Sequence, residues 1–271
     1  MLVLLPPSEG KTVPDDGPPL DLTSLGLPSL TGQRKAVMDA LAAASARPDA
    51  LEVLGVGRGL ADEVARNTRL TTAPTAPAAR VYTGVLYAAA GLADLTRAQA
   101  RRAAESVLTV SALWGAVSPV DAVPAYRLSM ATTLPGVGAL ATAWRPHLAA
   151  ALDDRARGDV VVDCRSASYA AAWHPPAGAE WLAVKVLREV GGTRSVVSHN
   201  AKHTRGVLTG HLLRRRGSGP TTARGVVAAA RELVGRTLAV AVGTGLPSEL
   251  LEVTLHPVPA RGPRTLELVI S

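Results

Sequence analysis

Phenylalanine is absent from this 271-residue chain, cysteine occurs once, at Cys164, and aromatic residues make up only 3% of the whole. A single cysteine excludes an intramolecular disulfide framework, and without companion cysteines it lacks the spacing of a zinc site. No uninterrupted apolar run approaches the roughly eighteen residues that announce a membrane-spanning helix. The apolar opening Met1 to Leu5 has no basic segment ahead of it, so neither export nor membrane insertion is expected and the cytoplasm is the expected compartment. Lysine is scarce as well: Lys11, Lys35, Lys185 and Lys202 stand among about six times as many arginines. A lysine kept amid so much arginine suggests a place that needs a compact, titratable amine, because lysine's pKa moves on burial and arginine's hardly does.

What is present fits one large unit. With 47% hydrophobic residues the chain can bury a sizeable core, and its length lies near the upper limit for one domain, so residues 1–271 are expected to fold together. The net charge of +7 and the pI near 10.2 suit a polyanionic partner. Position matters more than the total. From Lys185 to Arg236 eleven basic residues face only Glu189 and Glu232, which makes this stretch either an anion-facing surface or a solvated arginine face.

Apolar runs bounded by breakers predict strands at Met1 to Leu5, Val107 to Leu113 and Val160 to Cys164. Two more, Lys185 to Val190 and Ser195 to Ser198, are joined by Gly191-Gly192 as a hairpin turn. Leu238 to Val242, Leu250 to Val253 and Thr265 to Ile270 read as closing strands. Helices are expected from a Thr31 cap through Leu41, with Ala36, Val37, Ala40 and Leu41 on the apolar face, and over Lys202 to Arg216 and Thr222 to Leu233. Ala50 to Arg66 suggests two short helices around a glycine turn, and the TTAPTAPAA segment that follows reads as a surface loop. Without a strict βαβ rhythm, the fold class is mixed α/β, a mixed sheet flanked by helices.

Several motifs carry chemistry. Ser8-Glu9-Gly10-Lys11-Thr12 follows a strand but lacks the first glycine of a P-loop, so Lys11 is either a point-charge contact to an anion or a turn lysine. Gly55-Val56-Gly57, with Arg58 and Arg66, matches the hairpin of a helix-hairpin-helix that offers backbone N–H groups to nucleic-acid phosphates, or a plain glycine-linked helix pair. Tyr82, Tyr87, Trp114 and Tyr126 cluster near breakers, as a base-stacking pocket or as core, with core favoured for Trp114 taken alone. Arg127 sits after a rigid proline loop, where Asp121 can orient it or neutralise it. Ser166 and Tyr169 follow the Val160 strand at the end where open α/β sheets bind ligands. Lys202 and Arg205 are three apart near a helix N-terminus, a place that favours anions and depresses an amine's pKa. His199 and His203 lack a third ligand for a metal, and neither a metal nor a cofactor is expected.

In this order, PPSEGKT, RVYTGVLY, SALWGAVSPVDAVPAYRL, VVVDCRSASY and VVSHNAKHTRG resemble the motifs of the YaaA family over nearly the whole chain. The resemblance implies a cytoplasmic protein that limits oxidative damage and free intracellular iron and binds DNA through a helix-hairpin-helix and a basic cleft. Carried over by motif, Lys11, Tyr82, Tyr126, Arg127, Ser166, Tyr169, Lys202 and Arg205 would line that cleft, with Ser8 and Trp114 beside them. Two functions remain open. One is a non-catalytic DNA-binding stress protein using Gly55, Gly57, Arg58 and Arg66. The other is an enzyme acting on a nucleobase, nucleotide or other phosphate-bearing metabolite, with Lys202 or Lys11 as acid, base or nucleophile.

Overall fold

The computed structural model describes residues 1–240 and 247–271. Its first strand, β1 (Leu2–Leu5), is buried at every position, so both faces of the pleat are covered, as a continuous apolar run requires. β2 (Val107–Ser111) and β4 (Val160–Asp163) lie parallel to β1 on its two sides. Between them in sequence, β3 (Gly115–Val117) turns back antiparallel on β2. β5 (Glu180–Val190) runs parallel to β4, and its far half pairs antiparallel with β6 (Thr193–Val196). β7 (Thr237–Val240), β8 (Pro247–Leu255) and β9 (Arg264–Ile270) close the sheet, with β9 parallel to β5. The order is β7-β8-β9-β5-β4-β1-β2-β3, with β6 beside β5, which is the expected mixed sheet.

Six helices matter for the site: α1 (Thr31–Ser45), α2 (Val85–Ala90), α3 (Arg97–Ser106), α4 (Leu140–Ala156), α5 (His199–Arg214) and α6 (Ala223–Arg231). α5 crosses α2 at close range because Gly206 and Gly210 have no side chain. A Cβ on Gly206 would stand 2.2 Å from the Leu86 carbonyl oxygen, and one on Gly210 would stand 2.7 Å from that of Ala90. One hydrophobic core joins the sheet to these helices.

Several expectations shift. Val190 pairs with Thr193 across a two-residue turn in which Gly191 and Gly192 have φ of 55° and 77°, the twist that a hairpin of this length demands. β5, however, begins at Glu180, well before Lys185, because β4 and β9 supply partners for its first half. Thr31 does not cap α1: Leu30 occupies the cap position without a side-chain bond, and the helix continues to Ser45. Ala36 is exposed, and the inner face carries Arg34, which donates to the Trp114 and Ala116 carbonyls at 3.0 and 2.8 Å. The TTAPTAPAA segment is not simply a surface loop, since Ala76–Pro77 pairs with Ala122–Val123 and Thr75 and Ala78 are buried. In the stretch from Leu238, Ala241 and Val242 lie outside the described residues.

Candidate ligand site at the strand ends

β1 has neighbours reached by connections to either side, β2 first and β4 later. The carboxyl ends of these three parallel strands therefore open at a topological switch point, the usual ligand position in such sheets. From β1 the chain passes through Pro6 and Pro7 to Lys11, which pairs with Tyr82 in a short antiparallel bridge reinforced by Thr12 N–H donating to the Val81 carbonyl at 3.0 Å. From β2, Ser111 accepts the backbone N–H groups of Leu113 and Trp114 and shares a 2.6 Å hydrogen bond with the Tyr126 hydroxyl. Tyr126 and Tyr82 are joined through their hydroxyls at 3.1 Å. Tyr87 donates to the Pro6 carbonyl at 2.8 Å and meets Thr109 at 3.0 Å.

Lys11 reaches into this tyrosine wall. Its Nζ lies 4.3 Å from the Tyr126 ring centroid and 5.8 Å from that of Tyr82, and it donates to the Ser8 carbonyl at 2.9 Å. Burial of the ammonium, with the Arg127 charge beside it, lowers its pKa to about 7, against opposing pulls from Glu63 and Glu9. The amine is therefore poised to take or give a proton near neutral pH. The tyrosines do the opposite. Burial pushes Tyr169 up to about 12 and Tyr82, Tyr87 and Tyr126 upward too, so they remain neutral hydrogen-bonding groups.

Arg127 is fixed by its backbone, whose N–H and carbonyl both bond the Asn67 side-chain amide at 2.9 Å. Its guanidinium is held only loosely: it donates to the Glu9 carbonyl at a long 3.4 Å, the Glu63 carboxylate is 3.6 Å away and that of the exposed Glu9 is 3.9 Å away. Asp121, expected to orient or neutralise it, instead accepts from the Gly26 and Ser118 N–H groups at 2.9 and 2.7 Å. The contrast with Arg165 is instructive. Arg165 grips Asp163 with two bonds of 2.8 and 2.7 Å and also donates to the Tyr169 and Trp173 carbonyls. Burial would raise the Asp163 carboxyl, yet Arg165 and Trp181 hold it below the usual carboxylate value. The polar end of β4 thus neutralises itself and fixes the segment bearing Tyr169.

The structure brings Lys11, Tyr82, Tyr126 and Arg127 together, and Tyr169 is near enough to Glu9 and Arg127 for their charges to bear on its hydroxyl. Ser8 is half-buried and Ser166 is exposed. Trp114 is completely buried behind Tyr126, with ring centroids 5.8 Å apart. Arg205 turns away to the Val184 carbonyl at 2.8 Å. Gly206 faces Leu86 and Ala89 while Gly210 faces Ala90, so α5 and α2 run the same way. Lys202, one turn earlier on that stripe, is therefore placed toward the Tyr82–Gly84 end, where it is exposed and its side chain makes no hydrogen bond or ion pair among the described residues. Gly55, Gly57 and Arg58 are exposed between the short helices Ala50–Val53 and Ala61–Arg66. Sequence reasoning missed Glu63, Asn67 and Ser111, and only Ser111, in the SALWG motif, carried a signal. Among the described residues no group of three or more His, Cys, Asp or Glu side chains converges. Burial pushes the Cys164 thiol up to about 12, which makes it unreactive at neutral pH.

A family model described as peroxide stress protein YaaA matches residues 1–228, a span that includes every residue of this cluster. The chain belongs to the YaaA peroxide stress family. It is 46% identical over 262 residues to a UPF0246 protein of Streptomyces coelicolor, covering 95% of this chain and 100% of the relative. A UPF0246 protein of Corynebacterium efficiens is 41% identical over 210 residues, 77% of this chain and 83% of its own length. A third, from Ruegeria pomeroyi, is 32% identical over 182 residues, 60% of this chain and 69% of its own.

Proposed function

We propose that this family member serves in peroxide defence by binding a small phosphate-bearing molecule over the Lys11, Arg127 and tyrosine cluster, with Lys11 exchanging a proton with it. The observation that carries this reading is the loose hold on Arg127. Contacts of 3.4 Å to the Glu9 carbonyl and of 3.6 and 3.9 Å to the two carboxylates exceed the 2.7–2.9 Å typical of charge-assisted hydrogen bonds, so the guanidinium fork keeps its capacity for an incoming anion. Such an anion displaces Glu9, restores positive charge to Lys11 and sets its organic part against Tyr169, the one tyrosine of the four that keeps part of its surface open. The test is the Lys11 amine, followed by NMR while inorganic phosphate is added. Its pKa should rise, and Arg127→Ala should abolish the rise. Lys11→Arg should fold yet fail to complement a peroxide-sensitive strain. Full complementation by Lys11→Arg would reduce Lys11 to a fixed charge.

A second reading, contact with DNA phosphates, is favoured by the exposed Gly55 to Arg58 turn, where Arg58 has no acidic partner among the described residues. Family resemblance supplies the rest of that reading, in which the protein is cytoplasmic and limits free iron and oxidative damage to DNA. No helix of the described residues is long and apolar enough to cross a membrane.

A further inference from the structure

Beside the tyrosine-lined site, sharing none of its side chains, lies a cavity of about 330 Å³ lined by Val13, Pro14, Arg66, Arg69, Pro74 and Ala125, together with Thr72 and Ala73. It adjoins the first site through the chain, since Val13 follows the Lys11 segment, Ala125 precedes Tyr126, and Arg66 is next to the Asn67 that holds Arg127. We infer that this cavity is a second binding site, for a small phosphate monoester that carries a flat ring, of which the nucleoside 5′-monophosphates are the representatives to test.

Arg66 ends the short helix Ala61–Arg66 and Arg69 lies in the following 3₁₀ turn, so the two are three residues apart and share a face. Among the described residues neither guanidinium makes an ion pair or a side-chain hydrogen bond. Two unneutralised like charges at the wall of one concavity repel each other, and a dianion removes that repulsion. Planar forks also match phosphate oxygens two at a time. The remaining lining selects the body of the ligand. Val13, Pro14, Pro74, Ala73 and Ala125 offer flat apolar contact, and the Thr72 hydroxyl is already directed at the Arg69 carbonyl, 3.3 Å away. A polyol phosphate would leave more hydroxyls unpaired here than a nucleotide, whose ribose has only two and whose base presents flat faces to this lining. The volume sits at the lower end for small-molecule sites, which suits a metabolite and not a duplex.

Calorimetric titration of the full chain at physiological salt, with AMP, CMP, GMP, UMP and inorganic phosphate as probes, tests this. At least one monophosphate should bind about tenfold more tightly than inorganic phosphate. Arg66→Ala and Arg69→Ala should each weaken it by about tenfold or more. Ala73→Phe, which fills the cavity without changing charge, should abolish it, and the exposed control Arg97→Ala should leave it unchanged. The proposal is overturned if no monophosphate binds, if inorganic phosphate binds equally well, or if Arg97→Ala weakens binding as much as the cavity substitutions. Binding that survives both cavity arginine substitutions but is lost in Lys11→Arg places the ligand in the tyrosine-lined site and also overturns it. So does loss of duplex affinity alone, which would assign these arginines to nucleic acid.

Discussion

Lys11 and Arg165 show how differently two cations can be buried at one sheet edge. Lys11 has rings and a neighbouring arginine around it, with no carboxylate in direct contact, and its pKa falls to about 7. The unfolded chain, with an ordinary lysine value of 10.5, therefore holds more protons than the native protein between about pH 7 and that value. Stability should rise with pH across this window, by up to about 1.4 kcal/mol per unit, and be independent of this group below it. Chemical denaturation between about pH 7 and 9, below the range in which tyrosines of the unfolded chain ionise, should show that slope, and Lys11→Met should flatten it. Arg165 is bound twice to a buried carboxylate, so Arg165→Met leaves Asp163 buried without its partner and should cost about 3–5 kcal/mol. Arg127→Met, by contrast, should cost less than about 1 kcal/mol, because its contacts are long and its carboxylate partners keep access to water, while ligand binding is lost. Thermal or urea unfolding of the three variants checks the order. The sequence marked Lys11, Tyr82, Tyr126 and Arg127 through their motifs. It gave no sign that Glu63 or Asn67 would meet Arg127, since those residues lie on a short helix and the 3₁₀ turn after it, whose position only packing determines.

Among the elements, the α2–α5 crossing carries the sharpest constraint. A methyl group on Gly206 must enter the Leu86 carbonyl, which is backbone and cannot rotate aside. Gly206→Ala should therefore destabilise the protein by about 1–3 kcal/mol or more through forced separation of the helices. Gly59→Ala, in open space and without positive φ, should be close to neutral. Parallel denaturant titrations decide between these outcomes. The Gly191-Gly192 hairpin was legible because two residues with positive φ admit few alternatives. α3 was not assigned from sequence, although its Thr96 and Gln99 form a reciprocal capping box. Thr31 shows the converse: a good capping residue is drawn inside α1 because the preceding Pro28–Leu30 turn already starts the winding.

For the whole molecule, the charge total misleads until its partners are known. Of the basic stretch, Arg194 pairs with Glu189 and Glu252, Arg215 with Glu232 and Lys185 with Glu267, while Arg214 donates to the Ala90 and Gly91 carbonyls at the end of α2. Much of the positive charge is thus engaged inside the fold. Duplex binding, if the Gly55 turn provides it, should be weak, indifferent to sequence and steeply weakened by salt. Joint substitution of Arg58 and Arg66 by Ala should reduce the salt slope by about two contacts in a fluorescence-anisotropy titration. An unchanged slope would remove the turn from DNA contact. Local chemistry determined the apolar central strands, the glycine hairpin and the breaker-bound motifs, because apolar runs, φ preferences and proline act over a few residues. Tertiary structure alone decided which polar groups face one another. Asp121 with Gly26 and Arg127 with Asn67 are each 2.9 Å contacts between segments far apart in the chain, which meet only after the sheet has assembled.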